Sequence, residues 1–258
     1  MSVLKQGNVK KNIDDKGIAT IEFYHPMSNP LPGKLLAKLA DTITATGNDE
    51  SVKVIVLKSS GDRTFCAGAS FEELSSISDR STGKAFFSGF ANVINAARKC
   101  PKLIIGRVQG KAVGGGVGMA SAVDYCYATK YASVKLSELA LGIGPFVVGP
   151  AVERKVGLSA MSTMAINATQ WFSSDWAKEK GLYSEVFDSA IEMDQHINTL
   201  ANKLAASSTD AMVNLKKTLW EGTEDWDFLL DKRAKISGEL ILSDFSKNAI
   251  KKIKAANG

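Results

Sequence analysis

Two glycine-containing segments of the sequence could hold the carbonyl oxygen of a substrate between backbone N–H groups. The first, Thr64 to Ser70, reads TFCAGAS, and its small residues let the backbone approach a ligand closely. The second, Gly110 to Ala120, carries three consecutive glycines, Gly114 to Gly116, between a predicted strand and a predicted helix. A helix N-terminus presents free N–H groups and about half a positive charge, which favours an oxyanion or a phosphate. These residue types indicate a site that stabilises developing negative charge.

Both segments also have a purely structural explanation. Gly68 could serve only the φ angle of a tight loop, and the glycine run could serve only the close packing of a helix. The run does not match GxxxxGKS or GxxxxGKT, and it does not read GxGxxG followed by the acidic residue of a nucleotide-binding fold. A phosphate-binding loop is therefore not indicated.

A third segment, Val134 to Phe146, places the acidic residue Glu138 in a mostly apolar stretch. A carboxylate in such surroundings must be paired, hydrated at a cleft, or raised in pKa. Because a raised pKa makes a catalytic base, Glu138 is the candidate base, and the structural alternative is a helix-capping or surface glutamate. Cys66, in the first segment, is not favoured as a nucleophile because no histidine lies near it in sequence.

Alternating strand and helix patterns must position these segments. Apolar runs at Ile18 to Phe23 and Val52 to Leu57 predict two strands, and a helical pattern of leucines lies between them. A second helical pattern, Phe86 to Ala97, leads to a predicted strand at Leu103 to Val108 and then to the glycine run. Such alternation is typical of an α/β domain with stacked or parallel sheets.

The character of the sequence changes after about Asp188, where strand patterns end and helical patterns follow one another. We therefore predict an α/β core over residues 1–190 and a C-terminal helical subdomain over residues 191–258. No Pro-rich linker separates the two parts. We expect the helices to pack on the core or on a neighbouring subunit.

Composition narrows the class of protein. The 258 residues are 45% hydrophobic, enough for one substantial core, and no run approaches the roughly 20 apolar residues of a membrane helix. The start, Met1 to Lys11, is polar and basic and lacks the apolar centre of a signal peptide. The three cysteines lack CxxC spacing, so neither a disulfide framework nor a metal site is indicated. We expect a cytoplasmic protein with no membrane partner.

The charge of the chain does not by itself identify a partner. The formal net charge is +5 and the pI is near 9.0, but Lys and Arg are spread along the chain apart from one terminal cluster. That cluster is Lys247, Lys251, Lys252 and Lys254. Basic residues interleaved with aromatic ones, which would favour nucleic acid, are not found, and a modest positive field also suits a small polyanionic ligand. No nucleic-acid partner is predicted.

Taken together, the segments resemble the enoyl-CoA hydratase/isomerase family, the crotonase superfamily. The resemblance covers nearly the whole chain and depends on the order and spacing of five stretches. They are Asn29 to Leu31, Phe65 to Ala69, Val113 to Asp124, Ser137 to Ile143 and Ala177 to Glu185. The resemblance implies an α/β fold, the crotonase-type spiral of ββα repeats with a C-terminal α-helical trimerisation subdomain. It also implies a homotrimer or a dimer of trimers, and an acyl-CoA or enoyl-CoA thioester as substrate.

The resemblance also implies roles for residues of the two glycine segments. The backbone N–H groups of Ala69 and Gly115 would hold the thioester oxygen. The backbone carbonyl of Ala67 would accept from the adenine amino group, and Gly68 and Gly114 would contact the bound thioester. Coenzyme A enters as part of the substrate, so no separate cofactor is expected.

The chain departs from the hydratases of this family at Gly118. Those enzymes use two glutamates, and Gly118 stands where the first, reached through Gly-Gly-Gly-Cys-Glu, would be. Glu138 matches the second glutamate. Leu136 to Glu138 and Leu141 to Phe146 are similar to stretches of mitochondrial-type Δ3,Δ2-enoyl-CoA isomerases. A lone carboxylate suffices for that reaction, because it takes a proton from C2 and returns it to C4 without activating water.

Isomerisation is therefore the preferred reaction, and several alternatives stay open. Hydration, including that of a branched substrate such as methylglutaconyl-CoA, would need a second group from elsewhere in the chain. Decarboxylation and thioester hydrolysis also proceed with one carboxylate. A catalytically silent family member that binds RNA or scaffolds a complex is the alternative of a different class.

Four other features are interpreted through the resemblance. Ser70 replaces a frequent aspartate, and Tyr24 to Pro26 replaces a Leu-Asn-Arg-Pro stretch, so contacts with CoA are expected to differ in detail. Arg63 and the lysines of the last helix could meet phosphates or form a solvated charged face. Asp124, at the end of the second motif, is expected to be structural.

Overall fold

The computed structural model describes residues 7–26 and 28–257, and strands and helices alternate along them. The strands are β1 (Asn8–Ile13), β2 (Ile18–Tyr24), β3 (Pro30–Leu31), β4 (Val54–Ser59), β5 (Thr64–Cys66), β6 (Gly68–Ala69), β7 (Leu103–Val108), β8 (Lys111–Val113), β9 (Tyr125–Thr129), β10 (Val134–Lys135) and β11 (Glu185–Phe187). The helices are α1 (Gly33–Gly47), α2 (Phe71–Leu74), α3 (Arg80–Lys99), α4 (Gly115–Ala122), α5 (Gly149–Ile166), α6 (Ser174–Glu179), α7 (Ala190–Ala205), α8 (Thr209–Leu219), α9 (Trp226–Leu240) and α10 (Asp244–Asn257). A short 3₁₀ turn, Leu139–Leu141, follows Glu138.

The larger sheet has six strands in the order β1-β2-β4-β7-β9-β11. β1 is antiparallel to β2, and the other neighbouring strands are parallel. The central strands contain continuous apolar runs such as Val54 to Leu57, because a parallel sheet is buried on both faces. α1 and α3 contribute to the core on one face. α7 covers the other face, where Met193 and Ile197 pack with Ile105.

One predicted strand has different bounds in the structure, because its hydrogen bonds to the neighbouring strands determine where it begins and ends. The strand expected at Val52 to Leu57 begins at Val54 and continues to Ser59. Val52 is fully buried, but its N–H donates to the Asp49 carbonyl in the preceding turn. Ser59, although polar, continues the ladder opposite Phe23. Val52 was predicted as a strand residue because it continues an apolar run. The strand itself begins only where the backbone groups find hydrogen-bond partners on neighbouring strands.

The C-terminal helices contact the core of their own chain. α7, which begins at the predicted boundary near residue 190, packs on the sheet, and α9 packs along α3. α10 lies against the turn that follows Glu138. Gly142 permits this contact, since a Cβ there would lie 2.5 Å from a ring carbon of Phe245. None of the described helices is both long and apolar enough to cross a membrane.

Two small parallel sheets carry the three segments singled out from the sequence. One has the strand order β10-β8-β5, and the other pairs β3 with β6. Lys135 of β10 lies opposite Val113 of β8, and Leu31 of β3 lies opposite Ala69 of β6. Parallel strands end at the same edge of a sheet, so the loops that follow β5, β8 and β10 meet there.

Candidate active site

A cavity of about 440 Å³ lies where β5, β8 and β10 end. All six residues predicted for the site line it, namely Ala67, Gly68, Ala69, Gly114, Gly115 and Glu138. Most of the remaining lining is apolar, and its other polar side chains are those of Lys135, Ser137, Thr169 and Ser237. An apolar pocket with a few polar groups at defined points is typical of a small-molecule site.

The loop from Ala67 to Ala69 is held by the buried residue Asn29. Its side-chain amide donates to the carbonyl oxygens of Ser60 at 2.9 Å and Thr64 at 3.0 Å. Its backbone carbonyl accepts from the Ala67 N–H at 3.2 Å. Asn29 has a φ of 57°, a left-handed value that asparagine adopts more readily than most residues. The sequence marked Asn29 only as part of a turn, because its partners lie in a different segment.

The glycine run forms the start of α4 at the wall of the cavity. Gly114 precedes the helix with a φ of 51°, which favours glycine. Gly115 is the first helical residue, so its N–H has no acceptor within the helix. A Cβ built on Gly68 would lie 3.7 Å from the Gly115 nitrogen, so the two glycine segments are adjacent. Their adjacency is what a site for a carbonyl oxygen requires.

The carboxylate of Glu138 lies over Gly114. A Cβ built on Gly114 would lie 2.8 Å from Oε1 and 3.5 Å from Oε2 of Glu138. Oε2 is buried and has no hydrogen-bond partner among the described residues. Burial raises the pKa of Glu138 to about 7, and a backbone N–H opposes this slightly. A buried carboxylate with a free oxygen and a pKa near neutral has the properties of a general base.

Backbone hydrogen bonds fix Glu138 relative to the glycine run. The Gly114 N–H donates to the carbonyl of Lys135 at 2.9 Å. The Glu138 carbonyl accepts from the N–H groups of Leu141 at 3.0 Å and Ile143 at 3.1 Å. The base and the helix N-terminus are therefore held by the same local framework, which limits their relative motion.

Val148 fills the space beside Gly118. A Cβ built on Gly118 would lie 2.5 Å from Cγ1 and 2.7 Å from Cβ of Val148, closer than non-bonded carbons approach. Both residues are buried, and Val148 also lines the cavity. A carboxylate side chain therefore does not fit at position 118 in this arrangement. In the part of the chain that the structure describes, Glu138 is the only acidic residue lining the cavity.

Aromatic side chains of α3 form one wall of the cavity. Phe86 pairs edge to face with Phe87, at 5.4 Å between ring centroids, and with Phe90, at 6.5 Å. Phe87 and Phe90 line the cavity, and the Phe90 ring packs directly on the backbone of Gly115. Ile253 of α10 contributes to the lining as well. The spacing of these phenylalanines predicted a helix, but their place beside Gly115 depends on how α3 packs on α4.

Two other residues of the motif segments have structural surroundings. Burial raises the pKa of the Cys66 thiol to about 12, so its thiolate is not available at neutral pH. Asp124 accepts from the Ile104 N–H at 2.7 Å and from the Trp220 indole N–H at 2.8 Å. It also pairs with the Lys216 ammonium at 2.9 Å. These partners agree with the structural role expected for Asp124.

Ser70, Arg63 and the lysines of the last helix, which the resemblance placed near CoA, are not among the described residues that line the cavity. Ser70 caps the N-terminus of α2, where its hydroxyl accepts from the Glu73 N–H at 3.4 Å. Arg63 and the described lysines of α10 are not lining residues, and the Lys254 side chain lies outside the described residues. Their contact with phosphates stays a prediction. Within residues 7–26 and 28–257, no cluster of three or more His, Cys, Asp or Glu side chains could hold a metal ion.

Known proteins match nearly the full length of the chain. Residues 14–252 match the family described as enoyl-CoA hydratase/isomerase. A peroxisomal Δ(3,5)-Δ(2,4)-dienoyl-CoA isomerase of Arabidopsis thaliana is 27% identical over 94% of this chain and 91% of its own length. A probable enoyl-CoA hydratase of Bacillus subtilis is 27% identical over 92% of each chain. A 4-chlorobenzoyl coenzyme A dehalogenase of an Arthrobacter species is 30% identical over 81% of this chain and 76% of its own length.

Solved structures show the same fold. An enoyl-CoA hydratase from Bacillus halodurans superposes with a TM-score of 0.86 at 21% identity, over 95% of this chain and 99% of the other. One from Mycobacterium avium subsp. paratuberculosis K-10 gives a TM-score of 0.83 at 21% identity, over 96% of each chain. The expected crotonase-type α/β fold is thereby confirmed.

Proposed function

Because the chain belongs to the enoyl-CoA hydratase/isomerase family, we propose that it binds an enoyl-CoA thioester and moves the double bond from C3 to C2. The observation that carries this proposal is that Glu138 has the only carboxylate among the described residues that line the cavity. Glu138 has a free, buried Oε2, and the space beside Gly118 is filled by Val148. Isomerisation needs one group that removes and returns a proton, whereas hydration must also activate water.

In the proposed reaction, Glu138 removes a proton from C2 of the substrate. The electrons move toward the thioester carbonyl, whose oxygen gains negative charge. The N–H groups of Ala69 and Gly115 donate to this oxygen, and loss of one such donor typically costs about 3 to 4 kcal/mol of transition-state stabilisation. The Ala67 carbonyl accepts from the adenine amino group of CoA, and Gly68 and Gly114 contact the thioester near its carbonyl, with no separate cofactor.

The second half of the proposed reaction returns the proton to C4. The protonated Glu138 is the donor, and the double bond then lies between C2 and C3, conjugated with the carbonyl. A pKa near 7 suits both halves, because the group accepts and releases a proton near neutral pH. The apolar wall and the bulk of Val148 beside Gly118 keep water away from the intermediate.

Hydration is the second candidate, and the names of relatives favour it. They include the probable enoyl-CoA hydratase of Bacillus subtilis and the mitochondrial methylglutaconyl-CoA hydratase of Homo sapiens, 31% identical over 64% of this chain. This reaction requires a second proton-transfer group, and the cavity lining offers no second acid in the described residues. Decarboxylation, thioester hydrolysis and a catalytically silent binding role remain alternatives that the same cavity could serve.

The assembly and location belong to the same proposal. We expect a homotrimer or a dimer of trimers, in which the C-terminal helices contribute to the subunit contacts. We expect a cytoplasmic enzyme that takes its thioester from solution.

Product identification tests the proposal directly. Purified protein is incubated with 3-hexenoyl-CoA and, separately, with 2-hexenoyl-CoA, and the products are analysed by mass spectrometry. Unchanged mass with a shifted double bond supports isomerisation, and a gain of one water supports hydration. Absence of reaction with both thioesters, and with a branched dicarboxylic enoyl-CoA, would overturn the proposed enzyme activity.

A further inference from the structure

Two lysines and a tryptophan form a cationic cluster beside the cavity. The Lys111 ammonium lies 4.9 Å from the centroid of the Trp171 ring, and the Lys135 ammonium lies 4.5 Å from it. Lys111 belongs to β8 and Lys135 to the neighbouring strand β10. Two cations thus share one indole ring, an arrangement that cation–π attraction stabilises.

The backbone holds Trp171 next to Lys135. Val134 and Phe172 exchange two backbone hydrogen bonds of 2.9 Å in an antiparallel bridge. The residues that follow Val134 and precede Phe172 are Lys135 and Trp171, so the bridge brings these two side by side. The backbone bridge therefore fixes Trp171 beside Lys135, and the exposed side chain of Lys111 reaches the same ring from the neighbouring strand.

The cluster lies at the rim of the cavity. Lys135 is a lining residue, and its carbonyl accepts from the Gly114 N–H. Thr169, two residues before Trp171, is exposed and also lines the cavity. Lys135 therefore contacts the glycine run through its backbone carbonyl and the Trp171 ring through its ammonium group.

Among the described residues, no acidic side chain forms a salt bridge with this cluster. Neither Lys111 nor Lys135 forms an ion pair within the described part of the chain. Burial, followed by the charge of Lys111, lowers the pKa of Lys135. Lys130 differs from these two lysines. Its ammonium lies 5.6 Å from the centroid of the Tyr131 ring, but it also forms an ion pair with the Asp188 carboxylate at 3.1 Å. An anion bound beside Lys135 would relieve the repulsion between the two lysines.

The strand order indicates which part of a thioester would supply the anion. β8 lies between β5 and β10, and neighbouring strands are about 4.8 Å apart, so the outer two are separated by roughly 10 Å. Ala67, at the end of β5, is the residue assigned to the CoA adenine, and Lys135 is on the opposite edge. The carbonyl site at Gly115 follows the middle strand. The acyl group, not the nucleotide, would then extend toward Lys135.

On this basis, and resting on the proposed thioester binding, we propose that Lys135, Lys111 and Trp171 form a subsite for a carboxylate at the far end of the acyl group. The preferred substrates would then be thioesters of dicarboxylic acids. Lys135 contacts the carboxylate, Lys111 adds to the local positive potential, and the Trp171 ring keeps both ammonium groups in place.

Binding of saturated thioesters tests the subsite without requiring turnover. Adipoyl-CoA and hexanoyl-CoA have six-carbon acyl chains and differ in the terminal carboxylate. We expect calorimetry to show tighter binding of adipoyl-CoA, and Lys135→Met to weaken it by about tenfold while leaving hexanoyl-CoA unchanged. Lys111→Met should have a smaller effect in the same direction, and both effects should shrink as salt increases. Lys130→Met, the matched control, should alter neither affinity.

Three results would overturn the subsite. Equal affinity of the parent protein for the two thioesters would show that the terminal carboxylate is not recognised. A loss in Lys135→Met that is equal for both CoA thioesters and absent for their pantetheine thioesters would assign the lysines to CoA phosphates. A change in oligomeric state without selective loss of adipoyl-CoA would assign them to a subunit contact. Because binding is measured directly, the subsite can hold even if no isomerase or hydratase activity is found.

Discussion

Two buried acidic residues of this chain have opposite surroundings. Asp124 has a side chain that is 5% exposed, and both of its oxygens are satisfied by Ile104, Trp220 and Lys216. Glu138 has a buried Oε2 without a partner among the described residues, and burial raises its pKa to about 7. Asp124 connects α8 and the following turn to the main sheet, whereas Glu138 lines the cavity. The difference suggests that stability depends on Asp124 and chemistry on Glu138.

The largest effect is expected when Glu138 is replaced by glutamine. Glu138→Gln retains the shape of the side chain but cannot remove a proton, so isomerase activity should fall by about 10⁴-fold. Deuterium incorporation at C2 of a bound acyl-CoA should be lost as well. Proton exchange followed by NMR measures this, and hexanoyl-CoA affinity provides the control for folding. If the variant exchanges as fast as the parent protein, Glu138 is not the base.

Replacement of Asp124, in contrast to that of Glu138, should lower stability and leave activity nearly unchanged. Asp124→Asn leaves the Lys216 ammonium, whose side chain is 3% exposed, buried without a counter-charge. We expect the free energy of unfolding to fall by about 3 to 5 kcal/mol, measured by urea denaturation. Below the unfolding transition, kcat should stay within a few-fold of the parent value.

Asp188 offers a matched control for that prediction. It pairs with Lys130 at the surface, with 85% of its side chain exposed, so Asp188→Asn should cost no more than about 1 kcal/mol. If Asp124→Asn and Asp188→Asn lower the free energy of unfolding by the same amount, the structural importance assigned to Asp124 is contradicted.

The pH dependence should follow from the ionisation of Glu138. Its pKa is higher in the folded chain than the ordinary value of 4.5, so the folded state binds more protons between pH 4.5 and about 7. The free energy of unfolding should therefore fall as pH rises through this range, by roughly 3 kcal/mol for the whole change in the pKa of Glu138 from 4.5 to about 7. The difference in unfolding free energy between parent and Glu138→Gln, at pH 5 and at pH 8.5, measures the effect. Activity should rise over the same interval, because the ionised form is the base.

The contact between Gly118 and Val148 gives a smaller expected effect than the changes at Glu138 and Asp124. Gly118→Ala places a methyl group against Val148 and should lower stability by about 1 to 3 kcal/mol. Val148→Gly in the same chain removes both carbons that this methyl group would meet, so the two substitutions should not be additive. Denaturation of the four variants of this cycle measures the coupling. Additive losses would mean that Val148 does not block position 118.

Much of the fold could be predicted from the sequence because its signals are local. The strand at Leu103–Val108 and the helical pattern from Phe86 to Ala97 follow from the spacing of apolar residues. The start of β4 was less predictable, because Val52 is buried without taking part in the ladder. A strand needs partners on neighbouring strands, and sequence spacing does not specify them.

For the candidate site, too, the sequence indicated individual residues but not their partners elsewhere in the chain. The sequence indicated the glycine segments and Glu138, and the structure places all six predicted residues around one cavity. The roles of Asn29, Val148 and Trp171 were not predicted, since each acts through residues that are remote in the chain. Their side-chain types are common, and nothing in their immediate neighbours distinguishes them from ordinary turn, core or surface residues.

By itself, the sequence determined the alternation of the longer strands and helices, the backbone freedom of the glycine run and the presence of one acid in a mostly apolar segment. These properties depend on a residue and its near neighbours, through dihedral preference and periodic burial. Only the tertiary structure decided that Asp124 is fully paired while Glu138 is not, that Val148 fills the place beside Gly118, and that two lysines share Trp171. Those outcomes depend on which groups meet across the folded chain, since burial and partners, rather than residue type, decide what a charged group does.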